Sequence, residues 1–226
     1  MADRPYDVVT FDCYGTLIDW ERGIRNAFAA AAAAMRLPVD ADAALALYVE
    51  VEAKVEAEAY RSYREVLRET ARRIAARLRW PLPEARTDFL AESMPAWPPF
   101  PDTNRGLQRL AEAGYRLGIL SNVDDDLLAW SRRHLIGFFE IVVTAEQVGS
   151  YKPAPAHFTV ARRLVGGQRW LHAAQSYFHD VIPARALGIP VAWINRHGEA
   201  APDGGRPEHE CRTLVALADW LAPSRP

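Results

Sequence analysis

Short apolar runs alternate with longer stretches of helical period along this chain, and each run stops at polar residues. The first, residues 6–11, carries Val8, Val9 and Phe11 and ends at Asp12. A near-continuous apolar run of this length predicts a strand buried on both faces, as in a parallel sheet. A second, residues 115–120, follows a helical pattern at 104–113 and Gly114, and ends at Ser121 and Asn122. A third, residues 140–144, leads into a loop carrying Tyr151, Lys152, Pro153, Ala154 and Pro155. A fourth, residues 173–178, ends at His179 and Asp180, before a helix start marked by Pro183. Strands alternating with helices predict an α/β fold with a Rossmann-like, mostly parallel sheet.

Between the first two runs the pattern is helical from residue 21 to 94, with no glycine after Gly23. The alanine run at 29–34 favours helix. Asp40 and Asp42 are candidate caps for a second helix over 43–60. A third helix spans 61–79 and stops at Trp80-Pro81, Pro83-Glu84 opens a fourth, and the proline-rich stretch 95–101 follows. The expected division is an α/β core, residues 1–18 and 95–226, carrying a small all-helical insertion, residues 19–94.

Composition narrows the function classes. The 226 residues, half of them hydrophobic, suit one α/β domain with a modest insertion. A formal charge of −2 gives no case for nucleic acid or an anionic membrane surface. Cys13 and Cys211 form no CxxC pair. The start, Met1-Ala2-Asp3-Arg4-Pro5, lacks the apolar stretch of a signal peptide, and no run reaches membrane-spanning length. A soluble cytoplasmic protein acting on a small molecule is the expectation, and a homodimer stays open.

Strand ends of an open α/β sheet converge on one crevice. Here they would bring together an acid (Asp12), a hydroxyl (Ser121), an amine (Lys152) and a second acid (Asp180). Gly15 lets the backbone leave the first strand sharply. As isolated features, Asp12 would close a turn, Asp180 would begin a helix, and Lys152 would be a loop lysine contributing little to packing. Their shared order along the chain favours one site.

The segments Phe11-Asp12-Cys13-Tyr14-Gly15-Thr16-Leu17-Ile18-Asp19, Leu120-Ser121-Asn122, Tyr151-Lys152-Pro153-Ala154-Pro155 and Asp180 resemble the haloacid dehalogenase superfamily, and within it the L-2-haloacid dehalogenase type. The helix and strand expected over 183–196 are similar to the family's last core pair. The resemblance implies a helical cap that closes over the crevice and excludes water. It also implies that Asp12 is a nucleophile forming a covalent ester that water hydrolyses. Lys152 would hold Asp12 ionised, Thr16 and Ser176 would orient its loop, and Asp180 would position Lys152 and the water or hold a metal. Ser121, Asn122, Tyr14 and Tyr177 would bind an anionic substrate.

Superfamily phosphatases carry a second aspartate two residues after the nucleophile, where this chain has Tyr14. A halide leaves without a proton, whereas a phosphatase would forfeit a general-acid contribution of about 10²–10⁴-fold. Asp180 is the only acid from 175 to 180, which makes a poor Mg²⁺ site. Both features favour cofactor-free cleavage of a short 2-haloalkanoic acid. The alternatives are a Mg²⁺-dependent phosphatase of a small phosphomonoester and a catalytically silent binding protein. The chain departs from the dehalogenase pattern at Gln175, Tyr177 and Phe158, and lacks the halide-binding arginine of the second cap helix, where Glu50 and Glu52 stand. Arg61 and Arg64 are the substitute anion-binding candidates, or else a solvated basic face above packed tyrosines 60 and 63. The acids from Glu50 to Glu58 are expected to face solvent, and Trp97, Trp130, Trp193 and Trp220 to pack.

Overall fold

The computed structural model describes residues 4–202 and 204–222; residues 1–3, on which the reading of a missing leader partly rests, lie outside them. Six parallel strands form one sheet: β1 (Val8–Phe11), β2 (Arg116–Ser121), β3 (Phe139–Thr144), β4 (Trp170–Ala174), β5 (Val191–Ile194) and β6 (His209–Cys211). All residues of β1, β4 and β5 are buried, as continuous apolar runs require when helices cover both faces of a sheet. The strand order is β3-β2-β1-β4-β5-β6. Phe11 at the end of β1 pairs with Ile119 on one side and Ala173 on the other. The winding direction reverses between β1 and β4, so a crevice opens at their carboxyl ends.

The fourth strand differs from expectation. It runs over Trp170–Ala174 and stops before Gln175, and Tyr177–Val181 form a π-helical turn leading into α9 (Ile182–Ala186). The Ser176 hydroxyl accepts a hydrogen bond from the His179 N–H at 3.1 Å, which starts the turn. The apolar pair Tyr177-Phe178 therefore imitates a strand end without pairing. β6, short and partly exposed, leaves no run for the pattern to register.

Helices α5 (Thr103–Glu112), α6 (Asp125–Arg132), α7 (Ala145–Val148), α8 (Ala156–Val165) and α10 (Leu214–Leu221) belong to the α/β layers. Between β1 and α5 lie α1 (Trp20–Met35), α2 (Ala41–Glu56), α3 (Tyr63–Leu78) and α4 (Phe89–Ser93), packed against one another. Asp19 caps α1 by accepting from the Arg22 N–H. Asp40 caps α2, and Asp42 falls in its first turn. α3 begins at Tyr63 rather than residue 61, because Ser62 and Glu65 form a reciprocal capping box. The buried faces of these helices, including Phe28, Tyr48, Leu67 and Ile74, join Phe11, Leu17 and Trp97 in one apolar cluster. Among the described residues no helix is long and apolar enough to cross a membrane.

Candidate active site

β1 delivers Asp12 to the crevice, and Gly15, at φ +93°, turns the chain back so that Thr16 faces it. The Thr16 hydroxyl donates to Asp12 Oδ2 at 2.9 Å and accepts from the Gln175 N–H at 2.9 Å, which ties the loop after β1 to the end of β4. Asp12 Oδ1 lies 3.0 Å from Lys152 Nζ. The same ammonium donates to Asp180 Oδ1 at 2.6 Å and to the Leu120 carbonyl at 2.9 Å. Asn122, at the end of β2, fixes the lysine's backbone by accepting from its N–H at 2.7 Å and donating to its carbonyl at 3.0 Å. Lys152 is a loop residue by position, but its side chain is only 1 % exposed, so the expectation that it contributes little to packing is corrected.

Burial in this dry cluster pushes Asp12 above the usual carboxylate range, against the pull of Lys152. Burial would raise Asp180 as well, but the Lys152 ammonium and the hydrogen bond from His172 outweigh it and hold Asp180 at about 2. Burial works against the Lys152 ammonium, and its two carboxylates more than compensate, leaving it above its ordinary value. The three groups form a mutually dependent ionic set.

Sequence reasoning missed His172. Its Nε2 lies 3.0 Å from Asp180 Oδ1 and its Nδ1 lies 2.8 Å from Thr10 Oγ1, which also accepts from Trp170 Nε1 at 2.8 Å. An indole N–H can only donate, so Thr10 Oγ1 accepts from it; the assignment that leaves no buried proton unshared has Thr10 donating to His172 Nδ1 and His172 donating from Nε2 to Asp180. A histidine inside a buried apolar strand was the available signal, because buried polar groups need partners.

A cavity of about 280 Å³ opens above Asp12 and Lys152, walled by the sheet ends on one side and by α2 on the other. Tyr14, Asn122, Ser176 and Asp180 line it with them. Tyr14 exchanges a hydrogen bond with Ser131 at 2.8 Å and stands edge-on to Trp97. Ser176 meets His179 Nδ1 at 3.0 Å. Ser121 is fully buried below this surface, its hydroxyl without a hydrogen-bond partner.

Ser121 is one of four expected substrate-binding residues that do not line the cavity, and the other three lie elsewhere. Arg61 pairs with Glu58 at 2.7 Å, and Arg64 pairs with Asp126 at 2.5 Å while lying over Trp130. Both are drawn outward by carboxylates on the surface, and neither lines the cavity. Tyr177 packs on Trp193 and donates to the Gly205 carbonyl at 3.2 Å, because the π-helical turn rotates it away from the crevice. The expectation for the acids after Glu50 is also corrected. Glu52 and Glu56 face the cavity from α2. Glu52 accepts from the Tyr63 hydroxyl at 3.0 Å, and Glu56 accepts from Asn122 Nδ2 at 3.1 Å with His179 Nε2 at 3.7 Å. The carboxylate of Asp124 accepts from the N–H groups of Tyr63 and Arg64 at 2.8 and 2.9 Å, which pins the start of α3 to the core.

Known proteins resemble this chain over most of its length. The family model described as haloacid dehalogenase-like hydrolase matches residues 6–175. An (S)-2-haloacid dehalogenase, H-109, of Pseudomonas putida is 26% identical over 229 residues, spanning 96% of this chain and 99% of its own. The crystal structure of a defluorinating L-2-haloacid dehalogenase superposes with a TM-score of 0.83 at 25% identity, covering 96% of this chain and 95% of that one. A second L-2-haloacid dehalogenase structure gives 0.81 at 25% identity over 96% and 98% of the two chains. The chain belongs to the haloacid dehalogenase-like hydrolases.

Proposed function

We propose that this enzyme hydrolyses the carbon–halogen bond of a short 2-haloalkanoic acid, with the S-enantiomer preferred, through an ester on Asp12. The observation that carries the reading is the Lys152 ammonium, buried and shared between Asp12 and Asp180 at 3.0 and 2.6 Å. In the first step an Asp12 oxygen attacks the carbon bearing the halogen, and the halide departs with the bonding pair. Water then adds to the carboxyl carbon of the Asp12 ester. The 2-hydroxy acid leaves, Asp12 regains its carboxylate, and one proton is released overall. Asp180 Oδ2, buried with no hydrogen-bond partner, is the acceptor suited to orienting that water. A carboxylate held at about 2 is a weak base, so its part is orientation more than proton removal.

Tyr14 supports a leaving group that needs no proton. Burial raises its phenol well above the usual range, and Ser131 shares its hydrogen bond. A magnesium ion does not fit the residues present. Lys152 Nζ already lies between Asp12 and Asp180, and no group of three candidate ligands converges among the described residues. The route therefore calls on no cofactor. Residues 19–94 act as the cap over a core of residues 1–18 and 95–226, held down where Asp124 caps α3 and where the Tyr151 hydroxyl donates to the Arg61 carbonyl at 2.8 Å. The relatives' own activities support the substrate class.

The test is halide release from (S)-2-chloropropanoate in excess EDTA, beside phosphate release from common phosphomonoesters. Chloride without phosphate is the expected result. Phosphate release restored by magnesium would overturn the reading.

A further inference from the structure

The proposed substrate is an anion, but the cavity that would hold it is lined by four carboxyl groups, Asp12, Glu52, Glu56 and Asp180. Lys152 is the one ammonium there, and Asp12 and Asp180 already engage it. No arginine lines the cavity among the described residues. A second anion therefore needs hydrogen-bond donors from another source, or it pays the desolvation of an unpaired charge.

The cap supplies a candidate pair. Glu52 and Glu56 stand four residues apart on one face of α2, so both carboxyl groups look across the cavity at the Asp12–Lys152 cluster. Glu52 keeps one oxygen on the Tyr63 hydroxyl, and Glu56 keeps one on Asn122. Each has a second oxygen, that of Glu56 lying 3.7 Å from His179 Nε2, and no lysine or arginine pairs with either residue among the described residues. Burial pushes Glu52 up to about 7, and burial with the neighbouring Glu52 pushes Glu56 up to about 8.

We propose that Glu52 and Glu56 are the substrate-carboxylate recognition pair of this site, donating hydrogen bonds from their acid forms in place of an arginine. The inference rests on the carboxylate substrate proposed above. It predicts that the site accepts anions while the pair is neutral and rejects them once it ionises. Among the other groups facing the pair, the tyrosines and Lys152 keep their charge state where the glutamates titrate. Tyr48 and Tyr63 are pushed well above their usual range by burial, as is Tyr151, and Lys152 stays above its ordinary value. Burial holds His179 below its ordinary value, so it is neutral where the glutamates titrate. Asp12 and Asp180 line the cavity beside Lys152, each engaged with its ammonium.

The probe is propanoate, an unreactive carboxylate, with propanamide as the uncharged control, each titrated calorimetrically into the full-length protein at pH 6 and pH 9. Propanoate binding should weaken by about tenfold or more at the higher pH, since the neutral fraction of a group titrating near 8 falls about tenfold one unit above it. Propanamide binding should not weaken. In E52Q/E56Q, whose amides donate at every pH, propanoate should bind at both pH values within about threefold of the wild type at pH 6. The single E56Q variant should show a reduced pH dependence and serves if the double variant does not fold. Wild-type binding that is flat with pH, or glutamine variants that lose propanoate at pH 6, would overturn the proposal. Halide assays separate the two readings. Chloride release with pH-flat binding would leave the dehalogenase reading standing and remove the recognition pair. The predicted binding without chloride release would do the reverse.

Discussion

Replacing Lys152 with methionine removes one charge from the most tightly coupled part of the molecule while keeping most of the side-chain volume. Asp12 and Asp180 would then face each other in a dry site, where they now share an ammonium at 3.0 and 2.6 Å. Breaking a buried pair by deleting one partner costs about 3–5 kcal/mol, because the remaining charge has no compensation. For a domain of this size that corresponds to a melting temperature lower by about 6–20 °C. The deficit depends on pH with a definite sign. Without Lys152 the folded-state pKa of the carboxyl pair rises above the unfolded value, so the penalty grows as pH rises from about 4 and shrinks as pH falls toward it. Differential scanning calorimetry of K152M and wild type at several pH values reads this directly, and K152M/D180N should recover part of the loss. Activity should fall by about 10³-fold or more, since Asp12 loses the charge that keeps it ionised. A K152M protein with unchanged melting at pH 8 and turnover within tenfold of wild type would refute the argument.

Asp12→Asn should lower halide release by several orders of magnitude with little change in melting, measured by ion chromatography and circular dichroism. His172→Leu removes a buried donor to a carboxylate, an interaction of about 1.5–3 kcal/mol, so kcat should fall by about 10- to 100-fold with KM little changed. In the same variant the acid limb of the kcat profile should move to higher pH, and His172→Gln should restore part of the rate. E52Q/E56Q should melt higher than wild type at pH 9. Burial raises both glutamates in the fold, so their titration destabilises the folded state progressively as pH rises from about 4 to about 7 and about 8 and levels off above that, and the gain should fade as pH drops toward about 4.

What the sequence made legible follows from which interactions are local. β1 and β2 were readable because strands buried on both faces carry nearly continuous apolar runs, and the edge strand β3 because Ile141–Val143 continue one past the exposed Glu140. Asp12, Lys152 and Asp180 were readable as candidates because each stands at or beyond a strand end, and the structure brings all three together. The π-helical turn was not readable, since Tyr177 and Phe178 set apolar residues just beyond Gln175 and Ser176, and it is Ser176 capping the next turn that separates them from the strand. Glu52 and Glu56 were missed because acids on an insertion helix look like a solvated face until the other wall of the cavity is known. Arg61 and Arg64 failed for the converse reason. Their partners, Glu58 and Asp126, lie on the outer surface, and charge alone does not say which way a side chain turns.

The central claim is that the bond to carbon passes through Asp12. A single turnover of (S)-2-chloropropanoate with enzyme in excess in ¹⁸O-water distinguishes the routes by mass spectrometry of the peptide containing Asp12. Hydrolysis of an Asp12 ester leaves one ¹⁸O in that carboxylate, with the lactate of the first turnover unlabelled, and this is the result the account predicts. Label in the lactate and none in the Asp12 peptide would mean that water attacks the substrate directly, and would contradict it.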